Sequence, residues 1–188
     1  MKTAIILHGM PSREEYVNPT SPSPSHNHWL PWLQKQLLVN GVLAQTPEMP
    51  TPYEPQYPEW ASTFEQFHID KETILVGHSL GGGFLVRWLS ENKKKAGRVV
   101  LVAPWLDPDK ELRTGFFDFS IDSELATRTK DITVFISDDD DQEELASLEI
   151  LKNNISGLQV RTFTNKGHFI LEHMGTTEFP ELQDHLLQ

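Results

Sequence analysis

Three short stretches carry residue types that can act together on a carbonyl group. Residues 73–81 read TILVGHSLG, a strand-like run that ends in a serine between two glycines. Residues 132–141 read ITVFISDDDD, and residues 158–169 read LQVRTFTNKGHF. A serine hydroxyl attacks a carbonyl only when a base takes its proton, and the base needs an acceptor to fix its tautomer. Ser79, one aspartate of the acidic run and His168 supply these functions in the order Ser, Asp, His. Each follows an apolar run, which predicts that all three lie at the C-terminal ends of strands.

The G-x-S-x-G spacing has a physical meaning. A strand that turns at once into a helix forces the central serine into a strained backbone and leaves no space for side chains at Gly77 and Gly81. The hydroxyl is then held at the end of the sheet, beside a helix N-terminus whose free N–H groups favour negative charge. Two such donors must meet the developing oxyanion. Leu80, directly after the serine, supplies one, and Met10 in the His8-Gly9-Met10 segment after TAIIL is the expected second. GHSLGGG lacks the Lys-Ser/Thr ending of a phosphate-binding loop and the G-x-G-x-x-G spacing of a dinucleotide site, so no cofactor is expected.

Chemistry alone leaves the acid open among four neighbours; Asp140 is preferred, with Asp139 and Asp141 next. The same run lacks the sixth-position glycine of a calcium loop, and no metal is expected. His8 and His78 are read as loop-shaping residues or substrate contacts, and His26 and His28 as ordinary polar residues or at most substrate contacts. Trp105, Phe116 and Phe117, in a 105–127 segment expected to form a small lid, together with Phe169, are candidates for the acyl pocket. Each could equally seal the core.

The elements that must position these groups are short β-branched runs at 3–7, 73–76, 99–103, 132–136 and 158–163, separated by helical patterns at 29–41, 84–92, 143–153 and 178–187. Continuous rather than alternating hydrophobicity marks strands buried on both faces, hence a mostly parallel sheet covered by helices. The class is α/β, and residues 1–188 are expected to form a single domain. The polar loop from Pro11 to His28 joins the first strand to the first helix, so it must lie over the ligand-binding edge of the sheet. The proline-rich stretch 46–60 is expected to run extended.

With a net charge of −11, the chain repels phosphate backbones and anionic lipid, which excludes nucleic acid as an expected partner. It contains no cysteine, which removes disulfides and thiolate chemistry and fits a reducing, cytoplasmic compartment. The N-terminal run reads as a first strand rather than a signal peptide, and no apolar run approaches membrane-spanning length.

Over almost its whole length the chain resembles the small α/β-hydrolases of the retinoblastoma-binding-protein-9 and YdeN type. The resemblance rests on the HG loop, HWLPWLQKQL, PEMPTP, ILVGHSLGG, VVLVAPW, TGFFDF, VFISDDDD, KGHF and the terminal FPEL. It implies Ser79 as nucleophile, His168 as base and, three residues on from Ser137, Asp140 as acid. It also implies cleavage of small acyl esters, with thioesters and amides open to the same chemistry. The 11–28 loop is larger and richer in Pro and Ser than the family pattern. Some members are discussed as binding proteins, so the alternative is a protein-interaction module with little turnover, with a protein partner of unknown kind. An intact Ser, Asp, His set argues against it, because a scaffold needs none of the three.

Overall fold

A computed structural model describes residues 2–188. Its centre is a six-stranded, all-parallel sheet in the order β2-β1-β3-β4-β5-β6. The chain runs β1 (Thr3–Leu7), α1 (Arg13–Val17), α2 (Leu30–Val39), β2 (Leu43–Gln45), α3 (Tyr57–Phe64), β3 (Ile74–His78) and α4 (Leu80–Asn92). It continues through β4 (Arg98–Val102), β5 (Asp131–Ser137), α5 (Gln142–Asn154), β6 (Gln159–Phe163), α6 (Leu171–Met174) and α7 (Pro180–Leu187).

Alternate residues of each central strand feed two separate cores. Ile5, Leu7, Leu75, Val99, Leu101 and Val134 pack on one face against Trp60 and Phe64 of α3, Phe84 and Trp88 of α4, and Leu148 and Leu151 of α5. Ala4, Ile6, Val76, Val100, Val102 and Phe135 pack on the other against Leu30, Leu33 and Leu37 of α2 and Leu182 and Leu186 of α7. Helices therefore cover both faces, as strands without polar alternation require. Each fully buried Phe or Leu contributes about 1.5–3 kcal/mol relative to exposure.

Several elements differ from the sequence reading. The proline-rich stretch turns at 51–54, where the Glu54 N–H donates to the Thr51 carbonyl at 3.0 Å, and α3 then starts at Tyr57 with a proline in its first turn. A proline is tolerated there because the first N–H groups of a helix have no intrahelical acceptor. β2 is a three-residue edge strand, too short to show a pattern. β6 is the opposite edge, and its first four residues are exposed rather than buried on two faces. The expected lid at 105–127 packs instead against α4, where Arg87 donates to the carbonyls of Gly115 and Phe116 at 2.7 Å each.

Candidate active site

β3 delivers Ser79 into the gap before α4 with φ 50° and ψ −119°, a conformation L-residues rarely adopt. The local packing leaves it no alternative. A Cβ at Gly77 would lie 2.5 Å from the Gly81 carbonyl oxygen, and a Cβ at Gly81 would lie 2.5 Å from that of His8. Strand, serine and helix are thus pressed against β1 as closely as backbone permits. The serine carbonyl is fixed by N–H donors from Gly82, Gly83 and Trp105 at 2.9, 3.1 and 3.1 Å. No acceptor among the described residues occupies the Leu80 or Met10 N–H.

At the end of β5, the acidic run divides its labour. Asp139 accepts from Ser137 Oγ and from the Gly167 N–H at 3.0 Å, and these bonds pull its pKa below the usual carboxylate range. Ser137 Oγ in turn accepts the Lys166 N–H at 3.0 Å. These two side chains tie the β5 turn to the loop that carries His168. Asp141 stands exposed at the N-cap position of α5, where its backbone carbonyl accepts the Leu145 N–H at 3.1 Å. Asp140 is the one that turns inward, with its Oδ1 3.0 Å from His168 Nδ1. That contact leaves His168 Nε2 available to a second partner.

Other histidines hold His168 by its backbone. His78 Nε2–H donates to the His168 carbonyl at 2.9 Å, and the His168 N–H donates to His173 Nδ1 at 2.9 Å. Burial, with the neighbouring His168 adding to it, pushes His78 well below its ordinary pKa, which keeps it neutral. His8 is also a neutral strut. Its Nε2 accepts the Met49 N–H at 2.9 Å, so Nδ1 carries the proton and donates to the Gly9 carbonyl at 2.8 Å. Burial lowers its pKa against the opposing pull of Gly9 and Glu48. His168 is the exception. Burial lowers it too, but the Asp140 hydrogen bond and the charges of Asp140, Glu144 and Asp141 outweigh that, and its pKa is raised. A raised value makes it a stronger base than His8 and His78.

Ser79 and His168 line one cavity of about 420 Å³ together with Gly9, Met10, His28 and Ile170. Its outer wall comes from the 11–28 loop, which contributes Pro11, Glu15, Pro24 and Asn27. The predicted position of that loop over the sheet edge therefore matches. Within the cavity no hydrogen bond joins Ser79 Oγ to His168; such bonds often tighten only when substrate arrives. His8 and His78 also line this space, whereas Trp105, Phe116, Phe117 and Phe169 do not. Phe116 and Phe169 are fully buried in the cores. Trp105 donates to Glu143 at 2.6 Å, and Phe117 packs on Gly83 of α4.

Sequence reasoning missed Glu144. It lies one helical turn beyond Asp140 and is 7% exposed, with Oε1 3.7 Å from His168 Nδ1. Asp140, Glu144 and His168 offer three donor atoms within 4.8 Å of one another, a spacing that could also hold a metal ion. The Asp140–His168 hydrogen bond already uses Nδ1.

Residues 19–188 match the family described as serine hydrolase. The chain belongs to the serine hydrolase family. It is 31% identical over 183 residues to YdeN of Bacillus subtilis (strain 168), covering 92% of this chain and 94% of that one. The crystal structure of the ydeN gene product from B. subtilis superposes with a TM-score of 0.82 at 28% identity, covering 99% of this chain and 97% of the other. Est1E from Butyrivibrio proteoclasticus, solved with ferulic acid bound, shares the fold with a TM-score of 0.66 at 12% identity, over 100% of this chain and 87% of its own. The chain is thus a YdeN-like α/β-hydrolase and a hydrolytic enzyme. Among the described residues, no helix is long and apolar enough to cross a membrane.

Proposed function

We propose that this serine hydrolase cleaves small acyl esters, and by the same chemistry thioesters or amides, through an acyl-enzyme on Ser79. The observation that carries the reading is the Asp140–His168 pair at 3.0 Å, opening on the cavity it shares with a serine held at positive φ. His168 Nε2 removes the Ser79 proton as Oγ attacks the carbonyl carbon, and Asp140 stabilises the imidazolium that forms. The Leu80 and Met10 N–H groups take the oxyanion. The imidazolium then protonates the leaving group, and water hydrolyses the acyl-enzyme by the reverse proton route.

The cavity supports a small substrate. No lysine or arginine lines it, while Glu15 and Glu172 do, which favours neutral acyl groups over carboxylates. The test is steady-state hydrolysis of p-nitrophenyl esters of increasing chain length by the native protein, Ser79→Ala, Asp140→Asn and His168→Ala. Ser79→Ala and His168→Ala are expected to lose at least about 10³-fold in kcat. Turnover that persists in Ser79→Ala would refute the assignment.

A further inference from the structure

A serine–histidine–acid set needs one carboxylate, yet His168 has two on the same edge. Asp140 Oδ1 lies 3.0 Å from Nδ1 and Glu144 Oε1 lies 3.7 Å from it. The second is no accident of a solvated surface. Glu144 projects from the first turn of α5 and is buried, and among the described residues His168 is the only basic group within 4 Å of it. Burying a carboxylate is costly unless a partner compensates. Burial pushes Glu144 up, the nearby His168 opposes this, and Asp140 and Asp141 add to it, leaving a pKa of about 7. A residue serving packing alone would be better as Gln or Leu at this position.

We propose that Glu144 is a positioning residue for His168, a second carboxylate at the Nδ1 edge whose charge stabilises the imidazolium and steadies the ring when Asp140 is lost. The proposal rests on His168 being the base. The groups facing the imidazole are Asp140 and Asp141 from the β5–α5 turn, Glu144 from α5, His78 from the end of β3 and His28 from the loop before α2. The two carboxylates on Nδ1 favour the protonated ring, whereas the two histidines disfavour it only when they are themselves charged, and burial lowers the pKa of both.

The test is an NMR titration of the His168 ring in the native protein and in Glu144→Gln, with EDTA present to exclude metal. Glu144 lies close enough to the ring to couple to it, so the native curve should depart from a single step. Glu144→Gln should give one step, with its midpoint lower by about one pH unit. Kinetically, Asp140→Asn/Glu144→Gln should fall about tenfold below Asp140→Asn in kcat/KM. Should Glu144→Gln fail to fold, Glu144→Asp, which withdraws the charge by one methylene, should move the midpoint in the same direction by less. Identical titration curves in native and variant would overturn the proposal. A displaced midpoint in a protein that never turns over esters would uphold the Glu144 contact and sink the hydrolase mechanism, so the two failures are distinguishable.

Discussion

The strain stored at Ser79 can be measured by taking away its Cβ. At φ 50° and ψ −119° the residue sits where only glycine is at ease, and holding a non-glycine residue there costs about 1–3 kcal/mol. Ser79→Gly removes that cost, and Ser79→Ala keeps it. Both lose the same hydroxyl, and the backbone bonds from Gly82, Gly83 and Trp105 to the residue 79 carbonyl survive in both. Against the relief stands the larger chain entropy of glycine in the unfolded state, about 0.5–1 kcal/mol. The net expectation is that Ser79→Gly is more stable than Ser79→Ala by about 1 kcal/mol, or about 2–4 °C in Tm for a chain of this size. Urea unfolding at pH 7.5 reads it as a higher midpoint with an unchanged slope. A Gly variant no more stable than the Ala variant would refute the claim that the turn is strained.

Gly81→Ala should destabilise by more than about 3 kcal/mol, because its Cβ would meet the His8 carbonyl oxygen at 2.5 Å and backbone cannot step aside; urea unfolding checks it. Glu144→Gln should raise stability above neutral pH. Glu144 holds its proton in the folded state up to about 7, against an ordinary value of 4.5, so the native protein loses stability as pH rises between those values. The full shift corresponds to at most about 3 kcal/mol, and about 2 kcal/mol after solvent screening. Melting curves should coincide near pH 4.5 and separate by pH 8 in favour of the variant. Ester hydrolysis should lose kcat/KM on the acid side through an inflection above 6.5, since His168 must be unprotonated to act and its pKa is raised. Rate profiles from pH 5 to 9 locate it.

The sheet was legible because burial on two faces leaves an unbroken apolar run, as in VVLVA and ITVFI, and the serine turn because only glycine fits beside it at Gly77 and Gly81. What failed depended on rotation and context. Glu144 reads as one more acid in a solvated helix start until the turn of α5 sets it against His168. The aromatics Trp105, Phe116, Phe117 and Phe169 were singled out for hydrophobicity, which cannot separate a core from a pocket. Pro58 argued against a helix whose first turn it in fact occupies. The preference for Asp140 over its neighbours came from spacing and from the family resemblance; in the structure Asp140 is the one beside His168, while Asp139 is tied to Ser137 and Gly167 and Asp141 lies exposed at the start of α5.

The most direct test of the central claim is covalent labelling of the native protein with a fluorophosphonate probe, with the adduct located by mass spectrometry. The account predicts a single adduct on Ser79, lost in Ser79→Ala and strongly slowed in His168→Ala. A well-folded native protein that does not label, or that labels at another residue, would contradict it.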